Sequence, residues 1–376
     1  MRVVVCGAGI AGLTLATRLA DQGAEVVLLE RSARPRDQGY MIDFFGPGYD
    51  AVERMGLLPE VLATGYRVRE ASLVDGHGRR RAAVRYPEFA KAVGGRLVSI
   101  LRPDLERVLR EHLPASVDVR WGVSPVAVGD GVTLDDGTGL AADLVVGADG
   151  IRSTVRRLVF GPEHEFVRHL GFHTAAWQFD APGPHAASQD RFRLTDSIGR
   201  QLGFYALRSG RLAAFAVHRT PDPVAPQDIR ARILEVYDGL VPGVLDHLPP
   251  AEEIYYDQVA QSVLPAWHRG RTVLVGDACG AVSLLAGQGA SLGIAGAYLL
   301  AEQLARFPVE RALAEYERRW RPVVEEKQRV ARAGARWFLP ASPAQLRVRR
   351  LALHAARLPL VNRLVARNLV GKPVRL

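Results

Sequence analysis

Three glycines near the N-terminus constrain the fold of this chain more than any other feature. They are Gly7, Gly9 and Gly12. They follow the β-branched run Arg2–Cys6 and open a segment, Ile10–Asp21, whose apolar residues recur with helical spacing. A second apolar run, Glu25–Leu29, ends at Glu30, and seventeen residues separate Gly12 from that acid. This order of strand, tight turn, helix, strand and acid predicts a dinucleotide-binding β-α-β unit.

Each residue type in this pattern has a physical reason. Gly7 permits the turn, Gly9 lets the backbone approach a pyrophosphate, and Gly12 allows close contact between helix and strand. The helix N-terminus supplies free N–H groups and a partial positive charge. The carboxylate of Glu30 can accept hydrogen bonds from ribose hydroxyls, and its charge would repel a 2′-phosphate.

Two further glycine motifs follow predicted strands. Gly147-Ala148-Asp149-Gly150 comes after the strand Leu144–Val146 and precedes a helix that Ser153 can cap. Gly276-Asp277-Ala278 comes after Thr272–Val275 and leads into Gly287-Gln288-Gly289. An Asp at a strand end can bond a cofactor hydroxyl, and the glycines let backbone N–H groups reach an anion at the helix start.

Longer alternating segments between about His164 and Leu264 predict a mostly antiparallel sheet. The pattern of a buried parallel strand returns afterwards, at Thr272–Val275. We therefore predict an α/β protein with a discontinuous Rossmann-like domain of residues 1–163 and 265–325. A β-sheet domain of residues 164–264 is inserted in it, and a basic helical segment of residues 326–376 follows.

Charge and cysteine content exclude several classes of protein. From Lys327 to Leu376 the chain has twelve Lys and Arg and no Asp or Glu, so the remainder carries 49 − 12 = 37 basic and 40 acidic residues. The net charge of +9 therefore belongs to the tail, which argues against nucleic-acid binding. Two cysteines, Cys6 and Cys279, rule out a disulfide scaffold, and the histidines lack metal-ligand spacing. We expect a reduced, cytoplasmic setting and no metal.

Two apolar segments imitate targeting or membrane sequences. The first, Met1 to Ala20, resembles a signal peptide, but its glycines and its strand-turn-helix pattern argue against secretion. The second lies between Asp277 and Glu302, where 24 residues carry no charge and include Gly289-x-x-x-Gly293. Its first half is too rich in glycine for a continuous helix, so we predict a loop and a core helix rather than a membrane span.

The three motifs, in this order and at these separations, resemble those of the single-component FAD-dependent aromatic hydroxylases, the group A flavoprotein monooxygenases. The resemblance covers about residues 1–330 and is strongest to the smaller tetracycline-modifying and polyketide-tailoring members. It implies a GR2-type FAD-binding fold, with NADPH or NADH as co-substrate. It also implies an oxidoreductase of specialised metabolism, such as antibiotic biosynthesis, that hydroxylates a multi-ring aromatic or polyketide-like small molecule with O₂ through a C4a-hydroperoxyflavin.

The resemblance also implies which residues bind FAD. Glu30 would hold the ADP half, Asp277 would bond the ribityl or pyrophosphate portion, and the loop at Gly287 would lie beside the isoalloxazine ring. Arg102 matches an arginine that contacts the cofactor, and Asp149 lies in a motif associated with both FAD and NAD(P)H. The full set is Gly7, Gly9, Ala11, Gly12, Glu30, Arg31, Asp43, Arg102, Asp149, Gly150, Gly276, Asp277, Gly287, Gln288, Gly289 and Ala290.

Four positions depart from the pattern of this family. They are Gly280, Leu284, Ser291 and Gly296, where the family usually has His, Pro, Asn and Asp. These changes alter the surroundings of the flavin more than the binding of FAD. They motivate one alternative, a redox-silent cyclase that keeps FAD as a scaffold, and a flavin-dependent reductase or dehydrogenase on the same fold is another.

The predicted inserted sheet supplies candidates for substrate contact. They are Trp177, Gln178, Phe179, Phe192, Phe204 and Phe215. Aromatic side chains also dominate ordinary cores, so a packing role stays open for each. His218 is a candidate base toward a phenol, against the alternative of a structural or solvated histidine.

The basic tail, including Leu346–Arg350 and Leu351–Leu369, has the pattern of an amphipathic helix interrupted at Pro359. Three uses remain open: a helix whose arginine stems cover apolar surface, association with a membrane surface, and docking of an acidic carrier protein.

Overall fold

The computed structural model describes residues 1–35, 39–284 and 287–355. In this part of the chain the strands are β1 (Arg2–Cys6), β2 (Glu25–Glu30), β3 (Met41–Phe45), β4 (Glu70–Val74), β5 (Arg80–Arg85), β6 (Leu97–Leu101), β7 (Asp118–Trp121), β8 (Pro125–Val128), β9 (Gly131–Leu134), β10 (Gly139–Ala141), β11 (Leu144–Gly147), β12 (Val167–Phe179), β13 (Arg191–Thr195), β14 (Arg200–Ala206), β15 (Leu212–Arg219), β16 (Tyr255–Ser262), β17 (His268–Arg269) and β18 (Thr272–Leu274).

The helices are α1 (Ile10–Asp21), α2 (Pro47–Arg54), α3 (Leu58–Thr64), α4 (Tyr86–Ala92), α5 (Arg102–Glu111), α6 (Thr154–Val159), α7 (Glu163–Phe166), α8 (Pro182–Ala187), α9 (Ile229–Tyr237), α10 (Asp277–Gly280), α11 (Gly289–Leu304), α12 (Val309–Phe338) and α13 (Pro343–Ala355), with short 3₁₀ turns at Leu245–His247 and Ala251–Glu253.

A six-stranded sheet forms the nucleotide-binding half, in the order β17-β18-β11-β1-β2-β7. All its neighbours pair in parallel except β17 and β18. Its central strands are continuous apolar runs because helices and loops cover both faces, and Val3, Val4 and Val5 have no exposed surface. The predicted strand Arg2–Cys6 and helix Ile10–Asp21 have the predicted bounds. The predicted α/β fold class is confirmed.

The second sheet has seven strands in the order β16-β12-β15-β14-β13-β4-β5. Only β13 and β4 pair in parallel. Two of its strands, β4 and β5, come from the chain before residue 164, outside the predicted inserted domain of residues 164–264. The alternation of apolar and polar residues identifies a strand but not the strand it pairs with. The sequence pattern therefore could not assign β4 and β5 to this sheet.

The two faces of this sheet have different environments. The outer face carries Ala214, Ala216 and His218. The two alanines belong to the same buried cluster as Ile233 and Tyr237 of α9, and the ring of His218 lies 5.7 Å from that of Tyr237. The inner face, which carries Ala213, Phe215 and Val217, turns to β3, β6 and the end of α12. Three of the six candidates for substrate contact pack in the outer-face core, which is the packing role left open for them: Trp177, Phe179 and Phe204.

The uncharged segment after Asp277 contains α10 and α11. Helix α11 lies in the core, where a Cβ on Gly293 would lie 3.6 Å from the Cβ of Ala11 on α1. Its apolar character therefore serves helix packing. Within the described part of the chain, no helix has both the length and the apolar character that crossing a membrane requires.

The described portion of the basic tail consists of the end of α12 and of helix α13. Arg349 and Arg350 pair with Asp196 at 2.7 and 2.5 Å, and the Asp196 side chain has no exposed surface. These ion pairs hold α13 beside the end of β13, and each of the three uses of the tail stays a prediction. The predicted helical residues after Ala355 lie outside the described residues.

Candidate functional site

The glycine turn after β1 leaves an open cradle at the start of α1. Gly7 has φ +110°, and a Cβ there would lie 2.5 Å from the carbonyl oxygen of Ala148. A Cβ on Gly12 would lie 1.9 Å from the carbonyl oxygen of Gly7, so helix and turn touch directly. Gly9, the N-cap residue, has no atom within 4 Å of its Cβ position. The free space therefore lies where the N–H groups of α1 point.

Glu30 lies beside this cradle, at the end of β2. Its Oε2 accepts a hydrogen bond from the backbone N–H of Ala8 at 3.0 Å, and its Oε1 accepts one from Ser32 at 2.9 Å. These bonds orient the carboxylate and leave further lone pairs on both oxygens for ribose hydroxyls. Arg31, the next residue, is exposed.

Asp149 organises the second glycine motif. Its carboxylate accepts hydrogen bonds from the Ser153 hydroxyl at 2.5 Å and from the N–H groups of Thr154 and Val155 at 2.6 and 3.0 Å. Burial raises the pKa of Asp149, and these hydrogen bonds oppose the increase. Asp149 therefore fixes the N-terminus of α6, while Gly150, at φ +79°, has open space at its Cβ position.

Arg156 is a residue of this site that the sequence reasoning missed. Its side chain is fully buried, and its Nη1 donates a hydrogen bond to the carbonyl of Ala278 at 2.8 Å. Its Nη2 donates to the carbonyl of Ile151 at 2.5 Å. Arg156 thereby links the second glycine motif to the third. Arg152 and Arg157 on the same segment are exposed, and no local signal distinguishes Arg156 from them.

Asp277 lies where β18 meets the N-terminus of α11. Its Oδ1 is 3.9 Å from the Cβ position of Gly289, the first residue of that helix. The protein walls of the cleft partly desolvate the Asp277 carboxylate and raise its pKa, and the positive charge of Arg102 opposes this increase. The side chain stays accessible from the cleft. Gly276, at φ +60°, packs so closely that a Cβ would lie 2.9 Å from the Cβ of Ala11.

The start of α11 completes this side of the cleft. Gly287 has φ +61° with open space at its Cβ position, Gln288 is buried at the N-cap, and Ala290 is half-buried in the first turn. Backbone N–H groups at this N-terminus therefore face the cleft with partial positive charge.

Arg102 begins α5 on the opposite side. Its Nη1 lies 3.3 Å from Glu106, while 41% of its side chain stays exposed. Burial lowers the pKa of Arg102, but Glu106, the phenols of Tyr40 and Tyr255, and Asp277 together outweigh this effect and raise it. Arg102 is thus a fixed cation across the cleft from Asp277.

Two departures from the family pattern are explained by α12. A Cβ on Gly280 would lie 2.9 Å from Val324, and a Cβ on Gly296 would lie 2.5 Å from Nε1 of Trp320. Large side chains of α12 fill the space that His and Asp would need. These glycines are therefore packing positions.

The other two departures also have structural partners. The Ser291 hydroxyl accepts a hydrogen bond from the N–H of Gly48 at 2.9 Å and donates one to the carbonyl of Phe45 at 2.5 Å. Leu284 packs against an inner-face cluster that includes Phe172 and Val217. Ser291 thus ties α11 to the turn between β3 and α2.

A cavity of about 990 Å³ lies against the inner face of the seven-stranded sheet. Phe192 and Tyr205 line it from the sheet, while Met41, Tyr86 and Ser99 line it from β3, α4 and β6. Asp43 accepts hydrogen bonds from Tyr86 and Ser99 behind this wall.

Two other substrate candidates lie on the inner face. The ring of Phe215 is 5.7 Å from the ring of Tyr40, which in turn is 5.6 Å from that of Tyr255. Gln178 is half-buried and pairs in register with Ala213. Of the six sheet candidates, Phe192 lines the cavity, while Phe215 and Gln178 lie on the same face of the sheet outside its lining.

His218 lies on the outer face, which makes it a poor candidate for a base at the cavity. It is 2% exposed, and its Nδ1 is 3.1 Å from the hydroxyl of Tyr237. Burial and the neighbouring His173 lower the pKa of His218 to about 4. The prediction of a catalytic role conflicts with this position, because α9 covers the histidine.

Both cysteines are free and buried, and burial raises the pKa of each thiol. Sγ of Cys279 points to the carbonyl of Leu274 at 3.3 Å, which argues against a covalent link to a flavin. In residues 1–35, 39–284 and 287–355, His, Cys, Asp and Glu side chains form no group of three suited to a metal ion.

The cleft has the donor set that a flavin dinucleotide requires. Open space above Gly9 meets the N-terminus of α1, Glu30 presents acceptors for ribose, and Asp277 stands at the N-terminus of α11. The residues present therefore fit FAD, with the pyrophosphate at α1 and the flavin toward α11.

Comparisons with known proteins agree with this geometry. A family model described as "FAD binding domain" matches residues 1–331. An uncharacterized protein of Mycobacterium tuberculosis is 34% identical over 346 residues, covering 87% of this chain and 91% of the relative. The 2-heptyl-3-hydroxy-4(1H)-quinolone synthase of Pseudomonas aeruginosa is 31% identical over 322 residues, covering 80% of each protein. The crystal structure of tetracycline destructase Tet(55) superposes with a TM-score of 0.81 at 24% identity, covering 100% of this chain and 98% of that one.

Proposed function

This chain belongs to the FAD binding domain family and, within it, to the group A flavoprotein monooxygenases, and from that premise we propose the reaction that it catalyses. It uses NADPH or NADH and O₂ to hydroxylate a multi-ring aromatic or polyketide-like small molecule. The enzyme is an FAD-dependent oxidoreductase. The substrate class, the nicotinamide co-substrate and the use of O₂ are the proposal.

The residues of the cleft divide the binding of FAD among them. Gly7, Gly9 and Gly12 would admit the pyrophosphate to the N-terminus of α1, and Glu30 would accept hydrogen bonds from the adenosine ribose. Asp277 would accept hydrogen bonds from the hydroxyls of the ribityl chain or lie beside the pyrophosphate. Asp149, by capping α6, would hold the turn on which these contacts depend.

When bound, FAD supplies the redox chemistry, which is hydride acceptance from the nicotinamide and activation of O₂. The protein positions and shields this chemistry. The partial positive charge at the N-terminus of α11 would stabilise negative charge on the flavin pyrimidine. The rings of Tyr40, Phe215 and Tyr255 would exclude water from the space between flavin and substrate.

The cavity of about 990 Å³ on the inner face carries the proposal for the substrate. Ligand pockets of roughly 300–1,000 Å³ bury most of a drug-sized molecule, so this cavity can enclose several fused rings. Aromatic and apolar side chains form much of its wall, including Phe192, Tyr66 and Leu207. The quinolone named in the 31% identical relative is a fused-ring aromatic molecule, which supports the same class.

The two alternatives have less support. The redox-silent cyclase was motivated by Gly280, Leu284, Ser291 and Gly296, and each of these has a packing or hydrogen-bonding partner in the protein itself. A reductase or dehydrogenase has less need of a separate cavity of about 990 Å³ for a second ligand.

The direct test is isotopic. The protein reconstituted with FAD is given NADPH or NADH, ¹⁸O-labelled dioxygen, and a panel of polycyclic phenols, quinolones and tetracyclines. We expect one substrate to gain a single ¹⁸O atom. Oxidation of nicotinamide that yields hydrogen peroxide and no labelled product from any panel member would favour the reductase over the monooxygenase.

A further inference from the structure

A half-buried carboxylate behind the cavity wall has two hydroxyl partners. Asp43 on β3 lies opposite Ser99 on β6 in the antiparallel pair. Its Oδ1 accepts a hydrogen bond from the Ser99 hydroxyl at 2.7 Å, and its Oδ2 accepts one from the Tyr86 hydroxyl at 2.6 Å. Both distances are in the range of strong, charge-assisted O–H···O⁻ bonds.

Both hydroxyl-bearing residues line the cavity of about 990 Å³, whereas Asp43 does not. The ring of Tyr86 is fixed by Phe192 at 5.6 Å and by Phe89 at 6.1 Å between centroids. Ser99 is 3% exposed, and its backbone carbonyl accepts a hydrogen bond from the N–H of Tyr66. Neither side chain can turn away freely, so the carboxylate determines the direction of both protons.

The direction of these protons determines what the cavity wall presents. An ionised carboxylate only accepts hydrogen bonds, so Tyr86 and Ser99 must each donate their one proton to Asp43. The lone pairs that remain on the two hydroxyl oxygens are then acceptors. Burial raises the pKa of Asp43, but the two hydrogen bonds it receives favour the charged form and oppose that increase.

We propose that Asp43 is a positioning residue that fixes Tyr86 and Ser99 as hydrogen-bond acceptors, and that this wall selects a ligand carrying a hydroxyl or N–H group at that point. The proposal rests on the proposed function only in taking the cavity as the substrate site. A methyl ether or a ketone at the same position has no proton to donate. It would leave the hydroxyl oxygens of Tyr86 and Ser99 without a hydrogen-bond donor. A bonded hydroxyl would also gain electron density, which oxygen transfer to an aromatic ring requires.

The test compares two ligands that differ in one donor. 2-Hydroxyanthraquinone and 2-methoxyanthraquinone are titrated into the FAD-reconstituted protein without NADPH, and Kd is measured for each by calorimetry. We expect the hydroxyl compound to bind about tenfold more tightly, as one hydrogen bond to an otherwise unsatisfied buried acceptor would give. Tyr86→Phe should remove most of this preference. Tyr66→Phe removes another phenol from the same cavity and should keep it.

Asp43→Asn tests the direction of the hydrogen bonds from Tyr86 and Ser99, with almost no change in side-chain volume. The Asn amide must donate to one of the two hydroxyls, whose proton then turns toward the cavity. The ratio of the two Kd values should therefore fall to about one or reverse in favour of the methoxy compound. The melting temperature and the FAD content of each variant show whether it has folded. The ratio of the two Kd values for the wild-type protein does not depend on any variant.

Equal affinities of the two ligands for the wild-type protein, whether tight or weak, would overturn the proposal. An unchanged Kd ratio in a folded Asp43→Asn variant would overturn it as well. Because no turnover is involved, failure of the proposed oxygenation would appear only in the isotope experiment, and failure of this inference only in the binding ratio.

Discussion

The Nη1 atom of Arg156 donates a hydrogen bond to the carbonyl of Ala278 at 2.8 Å, across 122 positions of the chain. This bond joins the second glycine motif to the third, on two neighbouring strands of the six-stranded sheet, β11 and β18. The cleft for FAD therefore depends on a residue that need not touch the cofactor.

Arg156→Lys should lower both stability and the affinity for FAD. Arg156 donates to the carbonyls of Ala278 and Ile151 from two separate nitrogens, whereas lysine has one. We therefore expect at least one buried carbonyl to lose its hydrogen bond, at a cost of about 2–4 kcal/mol. Arg157→Lys on the same helix is the matched control, because Arg157 is exposed. Urea unfolding and fluorescence titration with FAD measure the two effects. Equal stability of the two variants would contradict this account of Arg156.

Gly9→Ala and Gly12→Ala separate cofactor binding from folding. The Cβ on Gly12 would meet the carbonyl oxygen of Gly7 at 1.9 Å, so we expect unfolding or a loss of more than about 3 kcal/mol. The Cβ on Gly9 meets nothing in the protein itself, so Gly9→Ala should fold normally and lose FAD affinity at least tenfold. Normal FAD affinity in Gly9→Ala would place the pyrophosphate elsewhere.

Gly296→Ala tests whether Trp320 explains a departure from the family pattern. The new Cβ would press on Nε1 of Trp320 at 2.5 Å, and overpacking of this kind costs about 1–3 kcal/mol. In a Trp320→Leu background the same substitution should cost at least about 1 kcal/mol less. Gly334→Ala on α12, where the Cβ meets open space, should instead stabilise by roughly 0.5–1 kcal/mol. Strict additivity in the double-mutant cycle would show that Gly296 and Trp320 are not coupled.

His218 should make the fold sensitive to acid. Its pKa is about 4 in the folded protein and about 6.5 in the unfolded chain, so between these values the unfolded chain binds more protons. Stability should therefore be fully present above about pH 6.5 and fall by roughly 2–3 kcal/mol as the pH drops toward 4. His173, whose pKa is also lowered by burial, adds to the same trend.

Urea unfolding at pH 7.5 and pH 5 checks this prediction. His218→Gln keeps a hydrogen-bonding group near Tyr237 and should reduce the pH dependence. His77→Gln, at an exposed site, should not change it. The same pH dependence in wild type and His218→Gln would exclude His218 as the titrating group.

The nucleotide-binding half could be predicted because its signals are local. The β-branched runs of β1 and β2, the helical spacing of Ile10–Asp21 and the glycine turn all lie within thirty residues. The carboxylate of Glu30 occupies the expected strand end for the same reason.

The sheet that covers the cavity could be predicted only in part, because its partners are distant in sequence. Alternation of side chains in β12 and β15 separates two faces, but α9 decides which face is covered. Trp177 and Phe179 are therefore core residues under α9, while Phe215 lies on the inner face against Tyr40. In the same way, nothing near Asp43 in the sequence identifies Tyr86 as its partner, 43 positions away.

The most direct test of the central claim is reduction of the bound flavin in the absence of oxygen. The FAD-reconstituted protein is mixed with excess NADPH and then NADH, and the flavin absorbance is followed with and without the polycyclic panel. The account predicts that one nucleotide bleaches the flavin, faster when a panel member occupies the cavity. Bound FAD that neither nucleotide reduces, with any panel member present, would contradict a monooxygenase and favour a scaffold role, and failure to bind FAD at all would contradict the whole account.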